Sequence, residues 1–321
     1  LLSLALTVAL ANLLTPDEYG VYKYILSLIG IASAATLTGT GAGITQAVAR
    51  GFEGTLRSGV QIALLWSIGM VGITLAMSGY YLYQGNLTIG LPLLLAALVV
   101  PITLSTTNFR SFFVGNKRFR DLALIATGQK VVTAGAALGV LAVTRDPAAV
   151  VATMIASEAL TNGLLYLFVL RRYRPNTAVE EGALHFSKHL SGMNVLKKIS
   201  GHFDKILVFQ FLGPVELATF TFAAAPKKEL QSLDRTLVGI AYPKLSQRSY
   251  AELRRTLPRK VGLLMLAMAG LAGAYILAAP SLFSVLFPQY LAAVPYSQVL
   301  AISLIFVPSA FFSQALTAHQ R

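Results

Sequence analysis

Apolar residues run along this chain for about 20 positions at a time before a charge, a proline or a glycine interrupts them. A helix of about 20 apolar residues crosses a hydrocarbon core roughly 30 Å thick. Spanning strands would instead alternate apolar and polar positions over about ten residues. The continuous runs therefore predict helices, whose backbone groups bond within the segment. Ten spans are predicted, at 1–14, 20–44, 59–80, 90–114, 121–143, 148–170, 189–211, 216–241, 258–280 and 294–318. Several have sharp starts. In Thr15-Pro16-Asp17-Glu18 the threonine can cap the helix, the proline can open it and Glu18 can close a capping box. Gly213-Pro214-Val215-Glu216 repeats that logic before the eighth span, and Asp146-Pro147 does so before the sixth.

Composition agrees with the pattern. Of 321 residues 55% are hydrophobic and 12% charged, and mean hydropathy is +0.66; a soluble domain carries about 25% charged residues. An ordinary soluble enzyme is excluded, and the fold class predicted is an all-α polytopic membrane protein. With no cysteine and four scattered histidines, disulfides, thiol nucleophiles and cysteine-ligated metals fall away. No cofactor or metal is expected. His185 and His189 stand four apart, but no carboxylate completes a site. The first residue is not Met and already lies in an apolar run, so the chain reads as a fragment whose first span is truncated; no signal peptide is visible.

The net charge of +13 is mostly topology. Sixteen of the 26 Lys and Arg fall after even-numbered spans, namely Arg50 and Arg57; Lys117, Arg118 and Arg120; Arg171, Arg172, Arg174 and Lys188; Lys244, Arg248, Arg254, Arg255, Arg259 and Lys260; and Arg321, whereas only Lys23 and Arg145 lie on the other side. The positive-inside rule then makes the ends of even spans, and the N-terminus, cytoplasmic. A nucleic-acid partner would need those charges on one soluble face, so none is expected.

An internal repeat runs at an offset of 198 residues. Leu14-Thr15-Pro16-Asp17-Glu18-Tyr19 lies over Leu212-Gly213-Pro214-Val215-Glu216-Leu217, Arg50 over Arg248 and Arg57 over Arg255. The reading is a duplicated six-span half, with residues 1–170 as the first lobe, 171–188 as a cytoplasmic connector and 189–321 as an incomplete second lobe whose last spans are missing.

Clear of the span starts, eight basic residues fall within predicted spans: Arg110, Lys130, Lys197, Lys198, Lys205, Lys227, Lys228 and Arg235; the acids there are Glu158, Asp204, Glu229 and Asp234. A charge at a helix centre costs about 2.5 to 3.5 kcal/mol, so these must snorkel, pair or line a watery cavity. On the seventh span Asn194, Lys197, Lys198, Gly201, Asp204 and Lys205 share an arc of roughly 120°. On the eighth, Lys227, Lys228, Gln231, Asp234 and Arg235 share another. Both stripes are net positive, so an anion is the matching ligand. For Arg110 snorkelling and ligand contact both stand. Lys130 and Glu158, at similar depth on adjacent spans, could form a structural ion pair. Glu158, Asp204 and Asp234 are candidate proton or sodium sites, with permanent pairing as the alternative. Tyr80, Tyr81 and Tyr83 read as an interfacial belt.

Three stretches carry a family resemblance: Leu13-Leu14-Thr15-Pro16-Asp17-Glu18-Tyr19-Gly20-Val21-Tyr22, Gly41-Ala42-Gly43-Ile44-Thr45-Gln46-Ala47-Val48-Ala49-Arg50, and Phe203-Asp204-Lys205-Ile206-Leu207-Val208 with Leu212-Gly213-Pro214. With the repeat, this ordered set resembles the O-antigen and exopolysaccharide (Wzx-type) flippases of the multidrug/oligosaccharidyl-lipid/polysaccharide exporter superfamily. The resemblance implies two six-helix lobes around a central cavity in the bacterial inner membrane. It implies alternating access and transfer of an undecaprenyl-diphosphate-linked oligosaccharide to the periplasmic leaflet. It also implies a monomer working beside a polysaccharide polymerase and a chain-length regulator, and no enzyme activity. The eight cations would then hold the diphosphate by charge-assisted contacts. Two alternatives remain. A multidrug or cation antiporter of the same superfamily calls for an acidic chamber. A membrane-embedded glycan polymerase or transferase needs positioned carboxylates or a base.

Overall fold

A computed structural model describes residues 2–144, 146–228 and 250–312. Among the described residues the fold is all-helical, with no strand. The helices are α1 (Leu2–Leu13), α2 (Pro16–Ala32), α3 (Thr40–Ala49), α4 (Thr55–Trp66), α5 (Ile68–Tyr83), α6 (Leu87–Thr106), α7 (Phe109–Gly115), α8 (Phe119–Val143), α9 (Pro147–Arg172), α10 (Glu181–Leu212), α11 (214–228), α12 (Tyr250–Leu286) and α13 (Val294–Ile302).

The expected helix starts are present. Thr15 accepts from the Glu18 N–H at 3.3 Å, and the Glu18 carboxylate accepts from the Thr15 N–H at 2.8 Å, completing the capping box with Pro16 in the first turn. Asp146 accepts from the Ala148 N–H at 2.9 Å ahead of α9. α10 ends at Gly213, whose φ of +106° suits glycine, and α11 opens at Pro214.

Ten spans were expected over the whole chain. Among the described residues six segments are long and apolar enough to cross a membrane: Thr55–Tyr83, Leu87–Gly115, Phe119–Val143, Pro147–Arg172, Thr256–Leu286 and Pro288–Phe312. A bent pair, Pro16–Ala35 with Thr40–Ala49, makes a seventh if the two are counted as one span; it is bent by 58° where a continuous span was expected at 20–44. α1 has only 12 residues. α10 is long enough, at 32 residues, but Lys197, Lys198, Asp204 and Lys205 make it too charged to count on composition. It also begins earlier than expected, so the connector shrinks to the residues between α9 and Glu181.

The described chain forms two compact units, Leu1–Leu217 and Ala218–Arg321. α10 groups by packing with the first unit, against α2 and α3, whereas the repeat groups it with the second half of the sequence. The core of the first unit joins Ile44, Val48, Leu56, Val60, Phe109, Phe112, Phe113 and Val169 from α3, α4, α7 and α9. In the second unit Phe222 packs on Phe287 and Tyr290 at centroid distances of 4.8 and 4.1 Å.

Candidate functional site

The bend between α2 and α3 is held by α10. Small residues let the backbones approach, as at membrane helix contacts generally. A Cβ on Gly20 would stand 1.9 Å from the Pro214 carbonyl oxygen, one on Gly30 2.4 Å from the His202 ring, and one on Gly43 2.2 Å from Ser187 Oγ. At the break, the Gly39 N–H donates to Ser191 Oγ at 2.8 Å. Lys198 Nζ donates to Ser33 Oγ at 2.8 Å and to the Ser33 carbonyl at 3.3 Å. Ser33 is the C-terminal cap of α2, so the ammonium sits at the negative end of that helix dipole. Along α2 this point lies about 26 Å from Pro16; along α10 Lys198 lies about 22 Å from Gly213. Both distances are shorter than a hydrocarbon core roughly 30 Å thick and put Lys198 near the end opposite Pro16 and Gly213.

The expected wet stripe on α10 is therefore split. Ser187, Ser191, Lys198 and His202 face α2 and α3, while Lys197 and Asp204 are exposed. The Asp204 carboxylate accepts from the Lys205 N–H at 2.8 Å, and Lys205 Nζ donates to the Gly201 carbonyl at 3.3 Å. Lys197 and Lys198 are about 100° apart on the helix, enough to separate a packed face from an exposed one.

A second polar centre joins α7, α8 and α9. Arg110 donates to Gln129 Oε1 at 2.7 Å; Gln129 Nε2 donates to Thr161 Oγ1 at 3.1 Å and Asn162 Oδ1 at 2.9 Å. Gln129 and Asn162 are buried, and no described residue accepts from Asn162 Nδ2. Arg110, exposed as a residue, thus meets a buried amide about 15 Å from the N-terminal end of α8, a contact that belongs to neither of its two readings. Gln129 was missed in the sequence. The available signal was a lone amide in an apolar helix, a common helix-joining group. Asn162, noted beside Glu158, serves this network.

Lys130 and Glu158 are exposed on the neighbouring helices α8 and α9. Lys227, half-buried, and Lys228, exposed, belong to the second unit. Asp234 and Arg235 lie outside the described residues. The tyrosine belt is corrected at one position. Tyr80 and Tyr83 are exposed, but Tyr81 is buried, its hydroxyl hydrogen-bonded to Tyr24 and accepting from Gln210 Nε2 at 3.2 Å. Packing of α5 on α2 and the reach of Gln210 from α10 draw it inward.

A cleft of about 540 Å³ opens where α2, α6 and α9 begin, lined by Asp17, Glu18, Asn86, Thr88, Asp146 and Phe209 among others. Its charge is negative, opposite to what a phosphate needs. At the other end of these helices the connector is strapped to the α3–α4 turn. Arg50 is ion-paired with Glu180, Asn176 Nδ2 donates to the Gly51 carbonyl at 2.8 Å, and the Glu180 N–H donates to Thr55 Oγ1 at 3.0 Å. Among the described residues no His, Asp or Glu group could hold a metal ion.

The family model for polysaccharide biosynthesis proteins matches residues 9–316. The chain belongs to that family, which bears out the resemblance read from its sequence. Polysaccharide synthesis or export is accordingly its field of action, as a multi-pass membrane protein. No curated protein and no solved structure matches the chain significantly.

Proposed function

We propose that the protein is a flippase that carries an undecaprenyl-diphosphate-linked oligosaccharide across the bacterial inner membrane, for O-antigen or exopolysaccharide assembly, without catalysing a covalent step. In this reading two helical lobes alternate access, the N-terminus is cytoplasmic, and Arg110, Lys130, Lys197, Lys198, Lys205, Lys227, Lys228 and Arg235 supply the cations. The observation that carries it is the chemistry around Arg110 and Lys198, whose hydrogen-bond partners are the neutral oxygens of Gln129 and Ser33. A charge kept only for architecture would be cheapest beside a carboxylate. Neutral oxygens orient these side chains and leave the positive charge for an incoming anion. Glu158, Asp204 and Asp234 are the candidate ion-coupling groups.

One observation favours the cation-antiporter reading: the acidic cleft around Asp17, Glu18 and Asp146. Reconstitution in vesicles separates the two. The flippase reading expects leaflet reversal of a diphosphate-linked glycolipid and no gradient-driven uptake of a cationic dye. Dye uptake without reversal would reject it.

A further inference from the structure

Three helices end in the same backbone motif, with two closing bonds onto the last turn. After α3 the Phe52 N–H donates to the Ala47 carbonyl and the Gly51 N–H to that of Val48, at 2.9 and 3.0 Å. After α5 Asn86 donates to Tyr81 and Gly85 to Leu82, at 2.9 and 3.0 Å. After α7 Arg118 donates to Phe113 and Lys117 to Val114, at 2.8 and 3.0 Å. The motif needs a left-handed residue, and the first two use glycine, with φ of +93° at Gly51 and +76° at Gly85; the third puts Lys117 there, with φ +58°. α9 ends without those closing bonds, since Pro175 has no N–H, but Arg174 there has a positive φ as well, +46°. Among the described residues these two are the non-glycines with positive φ. A side chain in this conformation is strained where glycine or asparagine is not.

Both strained cations lie at one corner. The Arg118 guanidinium stands 4.8 Å over the Tyr173 ring, which packs on Phe112 and Phe113 at 5.6 and 5.4 Å. The α7–α8 turn therefore abuts the end of α9. Arg120, Arg171 and Arg172 are exposed there as well. Nearby acids are Asp121 in the first turn of α8 and Glu53, whose oxygens accept from Asn116 and Asn176. Toward the membrane, α8 exposes Phe119 and Leu124, and α9 exposes Leu167 and Phe168. Orientation alone requires basic residues near the cytoplasmic ends of spans, but any exposed position serves that purpose. It does not account for cations at two backbone positions suited to glycine.

We propose that the inner ends of α7, α8 and α9 form a binding site for an anionic phospholipid of the cytoplasmic leaflet, its phosphate against Lys117, Arg118 and Arg174 and its acyl chains along the apolar faces of α8 and α9. Basic pockets between spanning helices are suited to such headgroups. The inference does not depend on the flippase reading.

The test is binding of phosphatidylglycerol to the purified protein in neutral detergent, followed by native mass spectrometry and by thermal unfolding. Phosphatidylcholine and inorganic phosphate are the comparison ligands. The protein is expected to retain phosphatidylglycerol and gain thermal stability from it alone. The variant Lys117→Asn with Arg174→Asn keeps residues that tolerate the left-handed conformation and should weaken binding about fivefold per charge removed. Lys117→Gly with Arg174→Gly should weaken it equally while raising the lipid-free Tm by about 2 °C or more. Unchanged binding in both variants overturns the site. Equal effects of phosphatidylcholine or inorganic phosphate overturn the lipid assignment, and a lower lipid-free Tm in the glycine variant overturns the strain argument.

Discussion

Gly30 and His202 give the sharpest test of how α10 is docked at the break in the second span, and hence of where Lys198 lies. In Gly30→Ala the added methyl would sit 2.4 to 2.7 Å from three atoms of the His202 ring, against an optimal carbon separation of about 3.5 to 4.0 Å. The ring or the helix must therefore move by about 1 Å. Overpacking of this kind costs about 1 to 3 kcal/mol, partly offset by up to ~1 kcal/mol of helix propensity gained over glycine. The net expectation is a loss of up to about 2 kcal/mol, or a Tm lower by several degrees. Gly72 is the internal control. It lies inside α5 with nothing within 4 Å of a Cβ, so Gly72→Ala should be neutral or slightly stabilising. Removing the ring should release the clash, so the cycle Gly30→Ala, His202→Ala and the double variant should show a favourable coupling of about 1 to 2 kcal/mol. Thermal and denaturant unfolding of the purified protein measures all four species. Equal stability of Gly30→Ala and Gly72→Ala, or a cycle without coupling, would refute the packing of α10 on α2.

Other outcomes follow from the same contacts. Gly20→Ala should destabilise by about 3 kcal/mol or more, since the obstacle is the backbone carbonyl of Pro214 at 1.9 Å and no rotamer can yield; unchanged unfolding would contradict it. Gln129→Glu should keep the protein folded, give Arg110 an anionic partner and abolish transport in a leaflet-reversal assay, whereas retained transport would show that the Arg110 charge is not used. Asn176→Ala removes the acceptor of the Gly54 N–H and the donor to Gly51, so limited proteolysis should cut residues 174–180 several-fold faster while the spans persist. Thr15→Ala should cost about 1 kcal/mol through the lost cap, read as a lower Tm.

Local signals were legible in the sequence wherever one residue dictates the geometry. Thr15, Asp146, Pro16 and Pro214 marked helix starts because their side chains or rings act on the next turn alone. The break at 33–39 was not legible, since no proline marks it: Ser191 and Lys198, more than 150 residues away, supply its hydrogen bonds. Likewise an arc on a helical wheel groups Lys197 with Lys198 but does not say from which side a neighbour approaches; here α2 approaches Lys198 and leaves Lys197 exposed. The start of α10 at Glu181 was hidden because its first turns are polar and fall outside the apolar run. Gln129 was overlooked because a single amide disturbs no periodicity, yet it joins Arg110 to Thr161 and Asn162.

The most direct measurement is the rate of leaflet reversal of a diphosphate-linked glycolipid in vesicles holding the unaltered protein, Lys198→Gln or Lys198→Arg. Both replacements can still donate to Ser33, but only arginine keeps the charge. The account predicts transport by the unaltered protein and by Lys198→Arg, with Lys198→Gln equally folded and inactive. Equal rates for all three would contradict it.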